Sequence, residues 1–138
     1  MSPPLLALRA AIRSRCLADP ALAGLMGGTA RLDDEPPRGA APVYATFGEA
    51  TSRDWSASGP SPGHETEMTL AVWSAAGSAA SGIAAAGRMA ELLDGAPLAL
   101  AGHRLVNLAV AALATDRDPD SRRVRTTLRL RAATEVAG

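Results

Sequence analysis

The groups that could do chemistry are few, and none has the company its chemistry needs. His64 and His103 are the only histidines. Neither has a second His or a Cys at metal-ligand spacing. His64 falls at a loop–strand boundary and His103 in a tight turn after Gly102, where a surface or turn role is expected. Cys16 is the only cysteine, so no disulfide can form within the chain. It shares helical spacing with Leu5, Leu8 and Ile12, an apolar face on which a buried, inert thiol is the default. Asp33, Asp34 and Glu35 offer three consecutive carboxylates, but neighbours in sequence do not converge on one ion. Pro36 and Pro37 make that run a solvated loop. The acidic stretch Asp116 to Asp120 lacks the glycine and distal glutamate of a calcium loop. No Walker loop, Rossmann fingerprint or nucleophile elbow occurs. The sequence therefore predicts no catalytic residue, no metal ligand and no cofactor site.

Two features stand out on other grounds. Arg123, Arg125, Arg129 and Arg131 alternate along one face of the last predicted strand, over roughly 27 Å at the usual rise per residue. Like charges at i, i+2 repel unless paired, and Glu65 and Glu67 alternate on another strand as candidate partners. The stripe is either a solvated face with cross-strand partners or a face for a subunit or for DNA. The second feature is Trp55, a large residue in a stretch rich in Ser, Gly and Pro. It either folds back on its own domain or anchors a partner, since tryptophan is enriched in interface hot spots.

The elements that must hold these residues can be read in order. Ser2-Pro3-Pro4 starts a helix, with a capping hydroxyl followed by proline. Asp19-Pro20 stops it and caps a short helix, Ala21 to Leu25, which Gly27 and Gly28 end. Arg31 to Ala41 reads as a loop or short edge segment, and Val43 to Glu49 as a strand. Ala50 to Gly63 reads as a long loop. Glu65 to Ser74 is a clean strand, with Thr66, Met68, Leu70 and Val72 on one face. Ser78 to Asp94 is the best helix, capped by Ser78, with Ile83, Ala86, Ala90 and Leu93 as its apolar stripe. Gly82 and Gly87 weaken that helix by about 1 kcal/mol each, and a close approach to a sheet would explain both. Leu98 to Leu100 is a candidate short strand before the turn at Gly102. Leu105 to Thr115 and Arg122 to Thr134 are strands joined by the loop Asp116 to Ser121. This order gives an α+β fold, a mainly antiparallel sheet with its helices on one face.

The totals set bounds. A chain of 138 residues suits a single domain over 1–138. Its formal net charge is zero, which disfavours nucleic-acid binding through bulk charge. All basic residues are Arg, which fits either a GC-rich coding sequence or fixed, bidentate interface pairs. The first residues lack the pattern of a signal peptide. No stretch is long and uncharged enough to span a bilayer.

Several stretches in order resemble a known family. They are Asp19-Pro20-Ala21-Leu22, Thr51-Ser-Arg-Asp-Trp-Ser56, Met68-Thr-Leu-Ala-Val-Trp-Ser74, Ala96-Pro-Leu-Ala-Leu-Ala-Gly-His-Arg-Leu-Val-Asn107, Asp116-Arg-Asp-Pro-Asp120 and Leu130-Arg-Ala-Ala-Thr134. Together they are similar to the small tail-completion proteins of long-tailed phages and gene transfer agents, of the tail-terminator type. No one stretch is chemically diagnostic; the order and spacing carry the resemblance.

The resemblance implies a sheet with helices on one side and no catalytic residues. It implies a hexameric ring at the head-proximal end of the tail of a virion or phage-like particle. Such a ring ends tube polymerisation and joins the tube to a stopper or neck protein. DNA would pass through it without sequence-specific binding, and no membrane is involved. Arg53, Asp54, Trp55, Glu65, Glu67, Arg123, Arg125, Arg129 and Arg131 become the interface candidates. Trp55→Ala is then expected to leave the monomer folded and weaken assembly. The rival readings are another neck component such as a stopper or head–tail adaptor, a small binding or accessory domain unrelated to phages, and a nucleic-acid module using the Arg strand.

Overall fold

In the last strand, strict alternation becomes strict burial. Val124, Thr126, Leu128, Leu130, Ala132 and Thr134 are buried, and the arginines between them face the other way. The structure is a computed structural model and describes residues 3–39, 42–55 and 63–137. Its elements are α1 (Pro4–Leu17), α2 (Pro20–Leu25), β1 (Leu32–Asp33), β2 (Val43–Asp54), β3 (Gly63–Ser74), α3 (Ala79–Leu93), β4 (His103–Arg117) and β5 (Val124–Val136). The strands form one sheet in the order β1-β2-β3-β5-β4. All neighbouring pairs are antiparallel except the short β1, which runs parallel to β2. The fold is α+β, as the element order predicts.

The helices pack on the face that carries Met68, Leu70, Val72, Leu128 and Leu130. These residues form one buried cluster with Leu8, Ile12 and Cys16 of α1 and with Ala85, Ala86, Met89 and Leu93 of α3. A fully buried leucine contributes about 1.5–3 kcal/mol relative to an exposed one. With few aromatics, the core relies on many such aliphatic side chains.

Local chemistry sets the helix ends. Pro4 opens α1, where a missing amide donor costs nothing. The predicted cap, Ser2, lies outside the described residues. Asp19 caps α2 by accepting from the Leu22 amide at 2.8 Å. Both Asp19 oxygens also accept from Arg88 at 2.8 and 2.9 Å, tying α2 to α3. Arg9 and Arg13 pair with Asp34 and Asp33, so two carboxylates of the acidic run hold the β1 segment against α1.

Four expectations need correction. The Ala50–Gly63 loop is far shorter: β2 continues to Asp54 and β3 starts at Gly63. Ala50 to Asp54 pair with Met68 to His64, so the ladder holds residues whose Ser, Thr and Arg composition reads as loop. One extra residue at Gly48-Glu49 bulges opposite Thr69 and resets the register there. The α3 stripe is rotated: Gly82, Ala85, Ala86, Met89, Leu92 and Leu93 are buried, whereas Ile83 is 40% exposed. Ser78 makes no side-chain cap for that helix. Leu98 to Leu100 is not a strand but a single bridge, Leu100 to His103, around the Gly102 turn.

Gly82 and Gly87 also part company. A Cβ at Gly82 would lie 2.6 Å from Ser74 Oγ, so this glycine lets α3 sit close on β3. At Gly87 the space is open.

Candidate functional site

The face of the sheet opposite the helices carries most of the charged candidates. Across the sheet, the register sets Arg53 opposite Glu65, Glu67 opposite Arg131, Thr69 opposite Arg129 and Trp73 opposite Arg125. β4 continues these rows with Asp116 opposite Arg125 and Ala109 opposite Arg131. Asp54 does not belong to this face. It pairs with His64 and alternates onto the helix side.

The arginine stripe is largely partnered, and one partner differs from expectation. Arg131 Nε lies 3.5 Å from Glu67 Oε1. Arg125 instead makes a bidentate pair with Asp116 at 3.0 and 2.6 Å. That guanidinium holds the Asp116 carboxyl below the usual carboxylate range. Arg125 also lies over the Trp73 ring at 5.6 Å, and Arg123 over the Tyr44 ring at 5.2 Å. Trp73 Nε1 donates to Thr46 Oγ1 at 3.1 Å, which fixes the indole against β2. Glu65 falls opposite Ala133 of β5, so it does not meet the stripe directly. Arg129 forms no ion pair with the described residues and borders a shallow depression of about 560 Å³ with Glu49, Thr69 and Asp116.

Sequence reasoning missed Tyr44 and Asp116 as members of this face, whereas Trp73 follows from the alternation of its strand. Asp116 was legible in principle: it and Arg125 flank the same hairpin turn. Trp73 alternates with Val72, a core position, which puts it outward.

Trp55 folds back on its own hairpin. Its amide donates to the Gly63 carbonyl at 3.0 Å, and the indole covers Gly63, where any added methyl would overlap the ring. Trp55 is half-buried as a result.

The remaining candidate chemical groups are quiet. Cys16 is fully buried, and burial pushes its thiol up to about 12. His103 follows the Gly102 turn, as expected, but starts β4 and is buried rather than at the surface; His64 is half-buried at the start of β3. Among the described residues no group of three His, Cys, Asp or Glu could hold a metal. No described helix is long and apolar enough to cross a membrane. The face offers salt bridges, stacked guanidiniums and hydroxyls, the parts of a contact surface.

A sequence profile for the family described as Tail completion protein gp17 matches residues 10–135. The chain belongs to that family. Among solved structures it is similar to a chain of the virion of a native gene transfer agent particle. The two share 32% identity with a TM-score of 0.84, over 98% of this chain and 99% of that one. No curated protein matches. Family and structural match place the chain in the virion particle, as a structural protein of tail completion. They also account for a molecule whose charged residues spread over a surface rather than converge in a cleft.

Proposed function

We propose that this protein is a tail terminator, a subunit of a hexameric ring that ends tail-tube polymerisation and joins the tail to the neck. It acts without catalysis. One observation carries the reading: the fold matches a gene transfer agent virion chain over nearly the full length of both. The tail-completion family points the same way.

The surfaces support this reading. The formal charge of zero and the pairing of Arg125 with Asp116 and of Arg131 with Glu67 suit a ring that DNA passes without being held. Its partners are then copies of itself, the tube protein on one side and a stopper or neck protein on the other. Arg53, Glu65, Glu67, Arg123, Arg125, Arg129 and Arg131 supply the polar contacts of those interfaces, and Trp55 stiffens the hairpin beside them.

Mass measurement of the purified protein, with and without its tube protein, tests the reading. A discrete ring, or tubes capped at defined length, is expected. A chain that stays monomeric and leaves tube growth unchanged would refute it.

A further inference from the structure

The two flanks of the sheet are both open, and they differ. On one flank, β1 covers β2 only at Ala45 and Thr46, so β2 from Phe47 onward has no strand neighbour among the described residues. On the other flank β4 is the terminal strand. The end of α3 covers part of it: Gly95 donates to the Leu108 carbonyl at 2.8 Å, and Asp94 accepts from the Val110 amide at 2.9 Å. Beyond a bulge at Ala111, the run Ala112-Leu-Ala-Thr115 is exposed and carries neither charge nor proline. Proteins usually blunt open edges with those devices. Beside this edge, Leu113 is 42% and Ile83 40% exposed. Ile83 shares its helix stripe with Ala90 and Asp94, the side of α3 that meets β4.

We infer that the β4 edge, with Ile83 and Leu113, docks the open β2 edge of a second copy of this chain. Three observations choose that occupant. The four long strands alternate in direction, so β4 runs opposite to β2. A copy related by rotation about an axis along the strands therefore continues the sheet in antiparallel fashion. The flanks also match layer to layer: sheet edge meets sheet edge, and α3 beside β4 meets α1, whose Arg9 lies over Phe47 of β2. Finally, antiparallel pairing runs the open part of β2, which begins at Phe47, back from the end of β4 at Arg117, so the uncovered lengths of the two edges coincide. Because the two edges are different, the contact is head-to-tail and its repetition closes a ring or runs on as a helix.

This inference deepens the ring reading and rests on it. The test uses the full chain carrying Thr51→Cys and Ala112→Cys together, both positions exposed. The native Cys16 is buried and stays silent. A short bis-maleimide is applied to the purified chain and to particles assembled with it, and mass is measured in parallel. A ladder of covalent multimers from the double variant, absent from either single variant, is expected. Leu113→Asp should abolish the ladder while leaving the thermal midpoint of the isolated chain unchanged. Multimers by mass without a ladder would overturn this junction and leave the ring reading intact. Covalent dimers from Ala112→Cys alone would overturn it in favour of a two-fold contact. A chain that never self-associates, alone or in particles, would overturn both.

Discussion

Gly63 and Trp55 act as one unit across the β2–β3 hairpin. The glycine supplies the bare backbone on which the indole lies, and the indole shields the Gly63 carbonyl bond from water. Gly63→Ala is expected to lift Trp55 off the hairpin, costing about 1–3 kcal/mol by overpacking. Tryptophan emission should shift to the red, with Trp73 held in place by its bond to Thr46 as the constant background. An unshifted spectrum would contradict the stacking. From the sequence, Trp55 had two open readings, because nothing in a run of Ser, Gly and Pro says which backbone it faces. The pairing of Asp54 with His64 decides it, and that pairing is long-range information. The arginines were easier. Alternation alone gave their common face, but their partners followed from register, so Asp116 rather than Glu65 serves Arg125.

At the scale of elements, α3 shows how a periodic pattern can be right about helix and only partly right about face. Of the expected stripe, Ala86 and Leu93 are buried, yet Ile83 turns outward and the small residues Gly82 and Ala85 take its place toward the sheet. Close approach of backbones wins over side-chain size there, because Ser74 fills the space where a Gly82 side chain would go. Gly82→Ala is therefore expected to destabilise by about 1–3 kcal/mol through overpacking. Gly87→Ala, in open space, should stabilise by about 0.4–1 kcal/mol through the unfolded chain. Denaturant midpoints of the two variants check both signs. The α2–α3 junction has a pH signature. The Arg88 bonds to Asp19 lower its carboxyl from 3.8 to about 2. A depressed folded-state pKa gives stability that is full above the ordinary value and is lost as pH falls through the folded one. The stability difference between wild type and Asp19→Asn should thus be largest near neutrality and shrink between pH 3.8 and about 2. A difference unchanged across that window, in urea titrations, would show that the charge contributes nothing. β4 and β5 were legible as strands because a long apolar run and strict alternation are local signals, but both continue past the expected ends at Thr115 and Thr134, to Arg117 and Val136. β2 was cut short because Ala50 to Asp54 join the strand only through their partners.

For the whole molecule, architecture explains where the charge sits. Helices seal one face of the sheet, and the other carries acid–base pairs in rows. The formal charge of zero and those pairs predict that DNA retention at low salt is weak and has almost no salt dependence. A steep loss of DNA binding between low and moderate salt, followed by fluorescence anisotropy, would contradict a neutral ring. The helix-on-sheet plan was legible from element order, whereas the two open edges were not, because strand order within a sheet is not written locally. Those edges are what turn a folded chain into a candidate for repetition. The most direct test of the terminator reading is the length of tails in particles made without this protein, measured by electron microscopy. Tails of uncontrolled length, or heads lacking tails, are predicted; particles with normal tails of normal length would contradict the account.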